Sequence, residues 1–165
     1  MLQKKICMLG SFSVGKTSLV RRFVESLFSE AYQTSIGVKV DKKVVHVNNE
    51  DVTLVLWDIH GEDVYQKIHM SYLRGMSGYL LVIDGTRRQT LEDALALNQR
   101  VMQEVGKVPA ILVLNKSDLV DRWEIDSDRE SELSAAGWII LRTSAKTGAS
   151  VEQLFSQLAA ATLTE

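Results

Sequence analysis

Two hydrophobic patterns take turns along this chain. Ile6-Cys7-Met8-Leu9, Tyr79-Leu80-Leu81-Val82-Ile83, Ala110-Ile111-Leu112-Val113-Leu114 and Trp138-Ile139-Ile140-Leu141 are unbroken apolar runs. Short runs of this kind fit strands covered on both faces at the centre of a sheet. Residues 38–47 and 52–58 are two further strand candidates, and Asn48-Asn49-Glu50 between them predicts a hairpin turn. Leu91, Ala94, Leu95, Val101, Met102 and Val105 form a helical stripe behind a possible Thr90 cap. Ser127 with Glu130 has capping-box spacing, and Gly137 is placed to stop that helix. Ser150 with Gln153 repeats the box ahead of Val151, Leu154, Phe155 and Leu158. Strands and helices in alternation predict an α/β fold with a mostly parallel sheet.

Between the first apolar run and a helix-compatible stretch beginning at Thr17 stands Gly10-Ser11-Phe12-Ser13-Val14-Gly15-Lys16-Thr17. It fits G-x-x-x-x-G-K-[ST], a phosphate-binding loop. The two glycines allow a tight turn and a close approach of backbone to ligand, so that N–H groups from Ser13 through Val14, Gly15 and Lys16 to Thr17 face phosphate oxygens. Lys16 adds a mobile cation, and the Thr17 hydroxyl suits Mg²⁺, which takes oxygen ligands. Strand, loop and helix N-terminus in that order make an anion site.

Composition narrows the class. The chain has 165 residues, 45% of them hydrophobic and 24% charged, which predicts one soluble globular domain over residues 1–165. A net charge of −2 offers no electrostatic case for nucleic acid as a partner. Cys7 is the only cysteine, which excludes an internal disulfide and a cysteine-cluster metal site, and a reducing, cytoplasmic setting is expected. No apolar stretch reaches membrane-spanning length.

In open α/β sheets ligands bind beyond the carboxyl ends of the strands, and three more groups fall there. In Trp57-Asp58-Ile59-His60-Gly61, Asp58 ends the third strand with a glycine three residues on, and is placed to hold Mg²⁺. Asn115-Lys116-Ser117-Asp118 follows the fifth strand. A carboxylate at Asp118 accepts both N1–H and the 2-amino group of guanine. Adenine offers neither, and would leave the carboxylate buried and unpaired, so Asp118 predicts guanine. Lys116 can lay its stem along the base, and Asn115 can tie this loop to the phosphate loop. Thr143-Ser144-Ala145-Lys146 follows the last strand, where a backbone N–H near Ala145 meets the guanine O6.

With these elements in order, the chain resembles the Ras superfamily of small GTPases, and its Rab-like branch most closely. Trp57-Asp58, Tyr72-Leu73-Arg74-Gly75, Asn115-Lys116-Ser117-Asp118 and Thr143-Ser144-Ala145-Lys146-Thr147-Gly148 carry the resemblance. It implies a phosphate-loop NTPase (Ras-like) fold: a six-stranded sheet with one antiparallel strand, flanked by about five helices. It implies GTP and GDP binding with Mg²⁺, in which Ser18, Ser144 and Lys146 join the nucleotide contacts. It also implies two switch segments that order around the γ-phosphate, and protein effectors, an exchange factor and a GTPase-activating protein that read them.

Carried over by the same resemblance, switch I spans about 29–37, and Ser35 takes the place of the family's Mg²⁺-binding Thr, with Thr34 as its neighbouring competitor. Phe28 matches an aromatic that packs across the guanine edge, a plain core phenylalanine being the rival role. Gly61 matches the glycine whose N–H senses the γ-phosphate. Val40, Trp57 and Tyr72 match an apolar triad that is either a partner surface or packing beneath switch II; Val64, Tyr65, Ile68 and Met70 share that choice.

The chain departs from the family at three positions near the chemistry. Glu62 stands where the family has its water-orienting Gln, Phe12 where it has a small residue, and His60 before Gly61 where another small residue is usual. These changes predict slow GTP hydrolysis. A non-hydrolysing, GTP-bound docking module is the rival reading, and a phosphate-loop kinase for a small molecule a more distant one, since no segment is left for a lid or substrate domain. Leu2 excludes myristoylation and residues 161–165 hold no cysteine or basic run, so the expectation is no direct lipid anchor and membrane recruitment only through a partner.

Overall fold

The computed structural model describes residues 2–25, 38–59 and 70–164. In chain order these form β1 (Leu2–Leu9), α1 (Lys16–Glu25), β2 (Val38–Val47), β3 (Glu50–Ile59), β4 (Gly78–Asp84), α2 (Gln89–Val105), β5 (Ala110–Asn115), α3 (Ser127–Ala135), β6 (Ile140–Arg142) and α4 (Val151–Leu163). Short 3₁₀ turns occupy Met70–Leu73 and Val120–Arg122. The six strands make one sheet in the order β2-β3-β1-β4-β5-β6. Only β2 runs antiparallel, and it pairs with β3. The Ras-like phosphate-loop fold therefore stands, with four α-helices among the described residues.

Alternate residues of the central strands feed two cores. Ile6, Met8, Leu80, Val82, Ile111 and Val113 face α1 and α4. There Phe23 stacks on Phe155 with ring centroids 4.1 Å apart. Cys7, Leu9, Leu81, Ile83, Leu112 and Leu114 face α2 and α3. Because both faces are covered, β4 is buried along its whole length, as its unbroken apolar run requires. Burial pushes the Cys7 thiol up to about 12, against the smaller opposing effect of the Lys5 ammonium, so it packs as a neutral apolar group.

Several local expectations are corrected. The run 138–141 yields a three-residue strand at the sheet edge, half-buried to exposed, instead of a central one. The α3 cap is Asp126, whose carboxylate accepts from the Arg129 N–H at 2.7 Å; Ser127 lies inside the helix, and Glu130 pairs with Arg142 instead. Ser150 precedes α4 in a left-handed conformation with no side-chain cap bond. Thr90 is the second residue of α2, not its cap, and its hydroxyl donates back to the Arg87 and Asp84 carbonyls. Met102 is exposed, and Leu97 takes its place in the buried stripe. The hairpin turn is the Asn48-Asn49 pair, both at positive φ, as a two-residue type I′ turn requires.

Candidate functional site

β1 ends at Leu9 and α1 begins at Lys16, so the loop between them sits at the carboxyl edge of the sheet. Its backbone is tied down from below. The Asn115 side chain donates to the Val14 carbonyl at 3.1 Å, and the Lys116 ammonium to the Ser13 carbonyl at 3.1 Å. Gly15 has φ +107°, and a Cβ there would lie 2.2 Å from Asn115 Nδ2, so only glycine allows this approach. Lys16 is buried and donates to the Gly10 carbonyl at 2.6 Å and the Ser11 carbonyl at 3.1 Å. Phe12 is the exception in a well-anchored loop: its ring is 66% exposed, directed to solvent at the loop's outer rim.

Beside this loop, the Thr17 hydroxyl donates to Asp58 Oδ2 at 2.6 Å. Asp58 is completely buried near the carboxyl end of β3, in register with Met8 of β1. A hydroxyl and a carboxylate oxygen converging at one point are the hard donors that Mg²⁺ takes, so these residues fit that ion.

The base-side loops are held just as closely. Asn115 Oδ1 accepts from the Thr143 hydroxyl at 3.1 Å, so one buried amide joins three loops. Asp118 accepts from the Ser144 hydroxyl at 2.8 Å, and Ser144 in turn accepts from the Thr147 N–H. A cavity of about 700 Å³ runs between the two regions, lined by Gly15, Ser18, Asn115, Lys116, Asp118, Ala145 and Lys146 among others. Of the expected site residues, the structure thus gathers Ser13, Val14, Gly15, Lys16, Thr17, Ser18, Asp58, Asn115, Lys116, Asp118, Ser144, Ala145 and Lys146 at one end of the sheet. Phe28, Ser35, His60, Gly61 and Glu62 lie outside the described residues, as do Thr34, Val64, Tyr65 and Ile68. One rung from Asp58, Val40 and Trp57 are paired across β2 and β3. Val40 is exposed, while Trp57 is half-buried with the Lys5 ammonium 3.8 Å from its ring centre. Tyr72 and Met70 are half-buried against the α2 side of the core.

Three participants were not anticipated. Arg22 of α1 donates through Nε to the Ala145 carbonyl at 2.9 Å and through Nη2 to the Lys146 carbonyl, and it lines the cavity. Asp84, at the end of β4 and 1% exposed, accepts from Lys116 at 2.8 Å, from Arg87 Nε at 2.9 Å, and from the Thr86 N–H and hydroxyl at 2.8 and 2.6 Å. Burial alone would raise this carboxyl, but the hydrogen bonds from Lys116, Thr86 and Arg87 outweigh it and hold the group well below the usual carboxylate range. Arg87 also donates to the Phe12 carbonyl at 2.9 Å. The signal was present: strand-end reasoning picks out the ends of β1, β3, β5 and β6, and β4 ends on Asp84-Gly85-Thr86. The turn is closed from above by Trp123, whose ring lies against Gly85 so tightly that a Cβ there would meet it at 2.0 Å.

A phosphate-type loop at the carboxyl edge of a mostly parallel sheet, opening into a cavity that ends on a carboxylate, defines a phosphate-loop nucleotide-binding protein. The comparisons narrow the class. The chain belongs to the Ras family, whose sequence model, described as "Ras family", matches residues 5–164. It is 37% identical over 163 residues to the Ras-related protein Rab-30 of Homo sapiens, covering 98% of this chain and 80% of that relative. The Rab-30 proteins of Bos taurus and Mus musculus match to the same extent. The chain is thus a Rab-like small GTPase, a GTP-binding switch protein by family.

Proposed function

We propose that residues 1–165 act as one guanine-nucleotide switch domain that holds GTP or GDP with Mg²⁺ and hydrolyses GTP slowly. The observation that carries this reading is the single cavity running from Gly15 and Ser18 to Asp118 and Ala145. Backbone N–H groups from 13 to 17, with Lys16, hold the phosphates. Asp118 takes the N1–H and amino group of guanine, the Ala145 N–H takes O6, and Asn115 and Lys116 brace both loops. Ser18, Ser144, Lys146 and Phe28 complete the nucleotide contacts. Thr17, Ser35 and Asp58 hold the Mg²⁺, which when bound neutralises phosphate charge.

Hydrolysis requires a water to attack the γ-phosphorus as the bond to the bridging oxygen of GDP breaks. In this reading Gly61 and Glu62 are the residues assigned to that phosphate, and Lys16 helps to hold it. An ionised Glu62 accepts a hydrogen bond from the water but donates none, and its charge repels the phosphate. An arginine finger, the donor such sites recruit for this charge, is worth on the order of 10³–10⁵ in rate. The charge on Glu62 equally favours the second reading, a non-hydrolysing GTP-bound docking module. A single-turnover assay with GTP and Mg²⁺, read by chromatography, separates them. Conversion over minutes to hours is the expected result, with Glu62→Gln at least tenfold faster. Conversion within seconds overturns slow hydrolysis, and GTP still bound after many hours points to the docking module or to a catalytic group supplied by a partner. An unchanged rate in Glu62→Gln removes Glu62 from the explanation.

Effectors, an exchange factor and an activating protein engage the switch segments together with Val40, Trp57 and Tyr72. Among the described residues no helix is long and apolar enough to cross a membrane. In this reading the protein works in the cytoplasm and reaches membranes through a partner.

A further inference from the structure

Three successive carbonyls of the phosphate loop are held by side chains from outside it. Phe12 is held by Arg87 at 2.9 Å, Ser13 by Lys116 at 3.1 Å and Val14 by Asn115 at 3.1 Å. The chain has no cis peptide bond among the described residues. In a planar trans peptide the carbonyl and the next N–H point in opposite directions. Fixing these carbonyls outward therefore turns the N–H groups of Ser13, Val14 and Gly15 to the opposite side, where a phosphate would lie.

Two of the three ties depend on one group. Lys116 and Arg87 both bond Asp84 Oδ2, at 2.8 and 2.9 Å, before reaching Ser13 and Phe12. Asp84 is itself locked: the Thr86 N–H and hydroxyl bind its other oxygen, and its own N–H donates to the Thr90 hydroxyl at 3.0 Å. Trp123 covers the turn at Gly85, and the Glu124 N–H donates to the Gly85 carbonyl at 2.8 Å. A carboxylate buried to 1% exposure is stable only while its cations stay in place, so the arrangement is rigid.

The geometry points to Asp84 and Arg87 as positioning residues for the phosphate cradle: they set the orientation of the 12–13 and 13–14 peptides and thereby the grip on a nucleotide's phosphate chain. This rests on the guanine-nucleotide reading above. Arg87 is the cleaner probe, because it is 45% exposed and its loss removes the Phe12 tie while leaving Lys116 on Asp84.

The test is competition binding of GDP and of GMP, whose single phosphate leaves most of the cradle unfilled. Arg87→Ala is expected to weaken GDP about tenfold or more and GMP less than about twofold. Arg87→Lys keeps a charge beside Asp84 without the fork that also reaches Phe12, and falls between. Asp84→Asn loosens both ties and is expected to lose more GDP affinity than Arg87→Ala; if it fails to fold, the two Arg87 variants decide. Unchanged GDP affinity in Arg87→Ala, or equal losses for GDP and GMP, overturns the assignment while leaving the nucleotide reading intact. A wild-type protein that binds no GDP overturns both.

Discussion

Two cavities among the described residues lie at opposite ends of the sheet, and the larger of this pair is the chemically quieter. One, of about 700 Å³, opens at the carboxyl ends of β1 and β5 between the phosphate loop and Asp118. The other, of about 870 Å³, lies at the amino ends of β4 and β5, walled by Met102, Val108, Pro109 and Trp138. Its polar pair, a buried Tyr79 and a half-buried Asn98, is self-contained: the Tyr79 hydroxyl donates to Asn98 Oδ1 at 2.5 Å, so each group uses the other. Around the first cavity the buried polar groups tie loops together instead. Asn115 links three, and Asp84 holds the two cations that brace one of them, the phosphate loop. Volume marks where a ligand fits. Polar groups held in a fixed direction by their own partners mark where one is recognised.

The strongest way to break this contrast is to remove the recognising group at the first cavity. Asp118→Ala is expected to abolish the preference for GDP over ADP, a loss on the order of 10⁴ in relative affinity, measured by competition. Retained preference would place guanine recognition elsewhere. A smaller effect is expected at the second cavity. Asn98→Ala leaves the Tyr79 hydroxyl buried without its acceptor, which costs about 1–3 kcal/mol in urea unfolding. GDP affinity should stay within about twofold, and a larger fall would show the two ends to be energetically coupled. The smallest effect concerns acid. The Asp84 carboxyl is held below its ordinary value of 3.8 in the folded chain, so unfolding takes up a proton. Its stabilisation is complete above that pH and drains away as the pH falls below it. Asp84→Asn is therefore expected to show a shallower acid limb below pH 4 than wild type, followed by circular dichroism, and parallel limbs would contradict the pairing.

Most of the fold was legible because hydrophobic runs report burial directly. The run 79–83 is buried on both sides, and β4 is there. The run 138–141 misled for the same reason: Trp138 packs against the α2 side of the core while Ile139 is exposed, and apolarity alone does not distinguish a central strand from an edge. Caps were the weakest reading. A capping box is a local pattern, and at α3 Asp126, one residue earlier than Ser127, takes the cap position. At the site, the loops gathered as expected because each follows a strand in a parallel sheet. Arg22 and Arg87 escaped notice because their targets, the carbonyls of Ala145 and Phe12, are backbone atoms far away in the chain, and backbone acceptors leave no trace in a sequence. Asp84 did leave one, at a strand end.

The contact between Gly85 and Trp123 has an evolutionary consequence. With 2.0 Å between a would-be Cβ and the indole, residue 85 is not free to enlarge alone. A lineage that enlarges residue 85 must first shrink residue 123, and one that keeps the tryptophan is confined to glycine. Descendants of this chain should therefore not combine a side chain at residue 85 with tryptophan at residue 123. A mixture of large residues at both positions would betray a repositioned turn.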